Sequence, residues 1–194
     1  MELPLALKLV YTGFLAVLVP VYWKAYGPGN FLWLCDVAVL GTGVALWLES
    51  PLLASMMLLA TLPELGWNLD LFTRLLTGRH PIGMTAYMFD RTLPRHVRAL
   101  SSFHIVLPVL LAWLVARWGY DPRAWPAQSV LTWGLLLASY ALTRPADNIN
   151  YAFGPGAKPQ TRLSPRVYLL LVMAIIPLGY WPAHALLRWL VRPP

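Results

Sequence analysis

Apolar runs recur six times along the chain, separated by polar intervals rich in Pro, Gly or Arg. They fall at 3–22, 31–48, 52–76, 101–118, 127–143 and 167–191. A helix needs roughly 20 mainly apolar residues to cross a bilayer, fewer when it is short or tilted. The breaks carry turn chemistry: YGPGN at 26–30, Glu49-Ser50-Pro51 with Pro at a helix start, and GYDPRAWP at 119–126. The pattern predicts an all-α polytopic membrane bundle of about six helices, built as one integral membrane domain over 1–194. A five-span version merges or drops the short fifth run. Pro63 predicts a kink in the third span, and Pro177 and Pro182 predict bends in the sixth.

Two connections are long. Residues 77–100 mix Arg79, Arg91, Arg95 and Arg98 with Ile82, Met84, Tyr87, Met88 and Phe89, the pattern of a segment lying in the membrane interface. Residues 144–165 form a second loop, rich in Pro and Gly. No soluble domain, repeat or low-complexity tract interrupts the pattern. The first run reads as a retained span rather than a signal peptide. Glu2 stands where a basic region would be, and no small-x-small cleavage site precedes Trp23.

Composition agrees. The chain of 194 residues is 58% hydrophobic and 12% charged, against about 25% charged in soluble domains. A net charge of +7 would point to nucleic acid in a soluble protein. Here the arginines lie mostly between apolar runs, so the charge reads as topology and headgroup contact, with membrane lipids as the expected partners and no nucleic acid. The single Cys35 excludes an intramolecular disulfide and a multi-cysteine metal site. Trp and Tyr near segment ends (Tyr22, Trp23, Trp33, Trp118, Tyr120, Trp125, Tyr180, Trp181) read as interface anchors.

Assigning each Lys and Arg to its nearest connection gives one side ten: Lys24, Arg74, Arg79, Arg91, Arg95, Arg98, Arg144, Lys158, Arg162 and Arg166. The other side has five: Lys8, Arg117, Arg123, Arg188 and Arg192. By the positive-inside rule the ten-charge side is cytoplasmic and both termini lie outside, in an inner or plasma membrane. The alternation also sorts the polar residues. Cys35 and Asp36 open the second span, and Glu64, Asn68 and Asp70 close the third. His104 opens the fourth, and Asp147, Asn148 and Asn150 follow the fifth. All fall on the same, basic side.

Ionisable groups at membrane depth are expensive and usually face a protein interior or a cavity. Cys35 and His104 have the chemistry of a nucleophile and its base, with Asp36 or Asp70 to orient the imidazole. The bland alternative is a small apolar Cys in a helix contact and a His that bonds across helices. LPELGWNLD at 62–70 offers Glu64 and Asn68 on one helix face for substrate binding, four residues apart. Asp70 falls on a nearly opposite face, where a salt bridge to Arg74 competes with a site role. Alternatively the stretch is a kinked helix end whose freed carbonyls and side chains satisfy one another. Asn148 and Asn150 either hydrogen-bond a ligand or end the fifth span. Carboxylates plus one imidazole can hold a divalent ion, but no HxxxH or ExxH pair occurs, so no metal or other cofactor is assigned.

The phrases YGPGNFLWLCD, ESPLLAS, GWNLDLFTRLLTG, YMFDRTLP, RALSSFHIVLP and NINYAFGPG resemble a bacterial family of small multi-span membrane proteins, a likeness that covers most of the chain and implies no activity. LCD and FH are also similar to pieces of YwaF-like proteins and their relatives among membrane acyltransferases and androgen-induced-gene lipid hydrolases. That resemblance implies about six helices and a buried nucleophile, Cys35, paired with a later His, His104, acting on a lipid by acyl transfer or hydrolysis. Three functions stay open: a membrane enzyme on a lipid or acyl substrate, a carrier or binder of a small polar or lipid ligand, and a structural or assembly subunit. Self-association and membership of a larger membrane complex also stay open.

Overall fold

Eight α-helices and four short 3-10 turns make up the fold, and no strand occurs among the described residues. The computed structural model describes residues 3–156 and 158–191. Glu2 and Arg192, which enter the N-terminal and charge readings, lie outside the described residues. The helices are α1 (Leu5–Tyr26), α2 (Leu34–Leu48), α3 (Pro51–Ala60), α4 (Leu62–Thr77), α5 (Arg95–Leu100), α6 (Phe103–Trp118), α7 (Ala124–Leu142) and α8 (Pro165–Leu190).

Three helices are long and apolar enough to cross a membrane: α1, the α5–α6 run and α8; a fourth is counted if the bent pair α3–α4 is one span. Their outer faces carry exposed apolar side chains, such as Val10 and Val17 on α1 and Leu170, Ile175 and Leu178 on α8. Apolar faces of this extent in a single chain belong against lipid. α2, of 15 residues, is apolar but shorter. α7 buries a stripe of Gln128, Ser129, Thr132 and Ser139.

The short α3 sits at the centre and packs against α2, α6, α7 and α8. Close approach to it and to α1 depends on two glycines of α2. A Cβ on Gly41 would collide with the Met57 side chain, and one on Gly43 would lie 2.6 Å from Leu15 Cδ1. α3 begins at Pro51 with Ser50 as its cap, whose Oγ accepts from Leu53 N at 3.3 Å. The preceding corner, Glu49, is left-handed at φ 47°. Its carboxylate accepts from Lys8 Nζ at 2.6 Å and Leu3 N at 3.0 Å, which ties the start of α1 to the α2–α3 corner. The Lys8 bond holds that carboxylate below the ordinary glutamate range.

The third apolar run is broken at Thr61 into α3 and α4, bent by 46°. Pro63 is the cause: it has no N–H to donate, and its ring crowds the carbonyl four residues back. Two further prolines free carbonyls that side chains of other helices then take. Pro108 leaves His104 O open, and Asn68 Nδ2 donates to it at 2.8 Å. Pro177 leaves Met173 O open, and Trp133 Nε1 donates to it at 2.7 Å. Hydrocarbon offers no water to such groups, so each must be satisfied inside the protein.

The connection after α4 is shorter than the 77–100 expected. Helix resumes at Arg95, six residues before the expected span, and α5 and α6 form one apolar run over Arg95–Trp118. Arg98 is accommodated because its guanidinium reaches back to Met88 O at 2.9 Å and Leu93 O at 3.2 Å. Asp70, on α4, gathers the start of the connection. Its carboxylate accepts from Ile82 N and Gly83 N at 2.9 Å each, Thr85 N at 2.8 Å and Thr85 Oγ1 at 2.6 Å. Arg74 is not its partner; that side chain donates to Gly78 O and lies over the Phe89 ring. Replacing Asp70 by Ala strands the buried Thr85 N–H and hydroxyl donors, which costs on the order of 3 kcal/mol. Asp70→Ala is expected to lower the thermal midpoint of the detergent-purified protein and to open the 82–85 segment to protease; an unchanged digestion pattern refutes the clamp.

Candidate functional site

The end of α1, the starts of α2, α4 and α6 and the loop after α7 meet at one end of the bundle. They enclose a cavity of about 470 Å³. Its wall includes Cys35, Asp36, Glu64, His104 and Asn150 of the residues expected from the sequence. Asn68, Asp70 and Asn148 do not line it; each bonds backbone beside it.

α2 starts without a local cap, since Trp33 makes no side-chain cap bond. The cap comes from 116 residues away: Asn150 Oδ1 accepts from Leu34 N at 2.8 Å. Asn150 Nδ2 donates to Leu32 O at 2.7 Å and to Ser139 Oγ at 3.1 Å. One amide thereby joins α2, α7 and the loop after α7. The backbone there is left-handed at Asn148, Asn150 and Tyr151. Asn tolerates this region, whereas a Tyr at φ 57° carries strain of order 1–3 kcal/mol that the surrounding bonds must hold. The Tyr151 ring meets Trp33 edge-on across 5.8 Å, and both line the cavity. Asn148 staples the rest of the loop, donating to Gly154 O and Gly156 O and accepting from Phe153 N. Asp147 is paired with Arg144 at 3.0 Å outside the cavity, and that bond keeps its carboxyl low.

Cys35 and Asp36 are the second and third residues of α2. Asp36 is 3% exposed; Oδ2 accepts from Asn30 Nδ2 at 2.9 Å, and Oδ1 has no partner among the described residues. Glu64, in the first turn of α4, is 2% exposed, and neither of its oxygens has a partner among the described residues. The break before α4 turns this carboxylate inward. Asn68 bonds the backbone carbonyl of Glu64, at 2.8 Å, rather than its carboxylate. Its Nδ2 thus serves two carbonyls of the protein's own backbone, Glu64 O and His104 O.

His104 is held by three contacts. Its ring stacks on Trp67, with centroids 4.6 Å apart, and on Phe103 at 4.1 Å. Nδ1 lies 2.8 Å from Ser101 O. A carbonyl only accepts, so the tautomer inferred for the neutral ring carries its proton on Nδ1 and leaves Nε2 as the acceptor. Orientation of the imidazole thus comes from a carbonyl and two rings. Asp70 is committed to the loop, and the bonded oxygen of Asp36 goes to Asn30.

Sequence reasoning missed the tyrosines. Tyr22, classed above with the interface anchors, is buried, and its hydroxyl is 2.7 Å from Ser101 Oγ in the cavity wall. Tyr87, from the long connection, accepts from Trp67 Nε1 at 3.1 Å and also lines the cavity. At the other end of the bundle, Tyr120 is buried against His184 Nδ1 at 2.9 Å; Tyr180 is buried against Thr132, a residue of the cavity wall, at 2.9 Å. Residue type and position near a span end do not separate these from anchors; only the partner across the bundle does.

Among the described residues, no group of three or more His, Cys, Asp or Glu is placed to hold a metal ion. Comparison of the chain with protein-family models, with curated proteins and with solved structures finds no match. The chemistry of the cavity is therefore the basis for a functional reading. Imidazole ¹⁵N spectra of the labelled protein in detergent are expected to report His104 as the Nδ1–H tautomer, and Ser101, whose carbonyl fixes it, to be tolerant of Ala. An Nε2–H signal would remove the free acceptor nitrogen from the cavity.

Proposed function

We propose that the protein is a six-span enzyme of the inner or plasma membrane that moves or hydrolyses an acyl group of a lipid or acyl substrate. Cys35 is the nucleophile and His104 its base. The observation that carries this reading is that a thiol and an imidazole from helices far apart in sequence line one cavity. Nδ1 of that imidazole is already engaged by a carbonyl. A cavity of about 470 Å³ is in the usual range for a small ligand or part of a larger one. The resemblance of the LCD and FH pieces to membrane acyltransferases and lipid hydrolases points the same way.

In the proposed reaction His104 Nε2 accepts the Cys35 proton as Sγ attacks the carbonyl carbon of an acyl ester. The tetrahedral oxyanion faces the N–H groups in the first turn of α2. The C–O bond then breaks, and the leaving alcohol takes the proton from Nε2, which leaves a thioester on Cys35. Water or an acceptor alcohol next gives its proton to Nε2 and attacks the thioester. The C–S bond breaks, and the thiol recovers its proton. No electrons are exchanged with an outside partner. The flanking ionisable groups are carboxylates rather than cations, so deprotonation of the thiol falls to His104.

The polar cavity belongs on the arginine-rich side, which the positive-inside rule makes cytoplasmic, with both termini outside. Reporter fusions after Gly78 and after Gly119 are expected to report cytoplasmic and extracytoplasmic locations respectively; two fusions on the same side overturn the six-span topology.

A second reading is a carrier or binder that performs no covalent step. The unpartnered oxygens of Glu64 favour it, because they offer a binding group that the acyl chemistry does not use. Labelling separates the two. A membrane-permeant, thiol-reactive acyl probe is expected to label Cys35 at a rate reduced about a hundredfold in His104→Ala, the scale of general-base catalysis. Equal labelling in His104→Ala rules out the pair and leaves the binder.

A further inference from the structure

Seven of the chain's eight acidic residues are described, and five of them are satisfied in place. Glu49 has Lys8, Asp121 has Arg123, Asp147 has Arg144, Asp90 has Thr92, and Asp70 has its ring of loop donors. Asp36 and Glu64 alone, among the described residues, are buried with carboxylate oxygens left without a partner. Both line the same cavity. Buried carboxylates are normally paired or fully hydrogen-bonded. The protein carries fifteen Lys and Arg, yet among the described residues none of them lines this wall. The missing counter-charge is therefore not a side chain of the cavity.

The rest of the wall specifies what kind of cation fits. Tyr22, Tyr26, Trp33, Trp67, Tyr87 and Tyr151 present aromatic rings from five separate stretches of chain. Aromatic faces attract cations within about 6 Å, most of all poorly hydrated ones such as alkylammonium groups. A small hydrated metal ion would need a cage of oxygens instead, which rings do not provide.

We propose that the cavity recognises an alkylammonium group, with Glu64 and Asp36 as counter-charges and the aromatic rings as its cage. This rests on the reading of the cavity as a ligand site, and not on Cys35 acting as a nucleophile. The group is carried either by the headgroup of an amine- or choline-type lipid or by a free amine. In the enzyme reading, the anchored headgroup would leave the ester carbonyls of such a lipid to Cys35.

The test is a titration of the full-length protein in a neutral maltoside detergent, followed by Trp fluorescence. The probes are tetramethylammonium, its near-isosteric neutral alcohol 2,2-dimethylpropanol, and short-chain lipids with phosphocholine or phosphoglycerol headgroups. Saturable binding of tetramethylammonium or of the phosphocholine lipid is expected, with the neutral alcohol and the phosphoglycerol lipid at least tenfold weaker. Binding of both ammonium probes assigns the site to free amines as well as lipids; binding of the phosphocholine lipid alone assigns it to headgroups. Glu64→Gln is expected to weaken the ammonium probes at least tenfold. Should that variant fail to fold, Tyr26→Leu, at the exposed rim of the cage, serves instead and is expected to narrow the preference for the ammonium probe over its neutral isostere. Equal binding of charged and neutral probes, or undiminished binding in Glu64→Gln, overturns the proposal. Acyl labelling at Cys35 without ammonium selectivity sinks this inference and spares the enzyme; ammonium selectivity without labelling does the reverse.

Discussion

In an apolar surrounding, a proline inside a helix creates a debt that the neighbouring helices must settle. Its missing N–H leaves a carbonyl exposed to a medium without donors. The cavity end of this bundle is arranged by that constraint. Pro108 frees His104 O, and Asn68 answers from α4, fixing α4 against α6 at the residue whose imidazole lines the cavity. Pro63 breaks the third apolar run, and the 46° bend turns the first residues of α4 inward. On the far side, Trp133 answers for Pro177 and holds α7 to α8. The bends are thus both the source of the open backbone groups and the reason that side chains converge.

A division of labour among the polar residues follows. Amides and one carboxylate serve the backbone: Asn68 for the α4–α6 contact, Asn150 for the start of α2, Asn148 and Asp70 for their loops. Their donors and acceptors are used up, and this makes them rigid supports. Asp36 and Glu64 keep free oxygens buried in the cavity wall. The first group resists change in shape, and the second resists being left without company. A membrane protein tolerates the second kind of residue at a cost of at least a few kcal/mol each, which selection accepts at a site that is used.

The sequence made the apolar segmentation legible because a bilayer imposes length and composition on anything that crosses it. Helices α1, α2, α7 and α8 start and stop within a few residues of the expected runs. The convergence of Cys35, Asp36, Glu64 and His104 was legible as well, since alternation alone sends the ends of consecutive spans to one side. The start at Arg95 was hidden, because Arg98 reads as interfacial until its guanidinium is seen folded back onto Met88 and Leu93. Asp70 and Asn148 were indistinguishable from ligand-binding residues by type. Their partners are backbone groups of nearby loops, and nothing in the side-chain pattern marks those. Tyr22 and Tyr87 were hidden for a related reason: a hydroxyl that meets a partner 79 or 20 residues away leaves no trace in local spacing.

The long-range cap on α2 has a consequence for the order in which this chain becomes a protein. α2 is among the first segments to leave the ribosome, since synthesis runs from the N-terminus. The amide that completes its first turn belongs to Asn150 and emerges only after α7. Until then the first turn of α2, with Cys35 in it, has an open N–H and no settled wall opposite. Insertion of α2 into the bilayer and formation of the cavity are therefore separate events in time, and Cys35 is in place well before the wall opposite it exists.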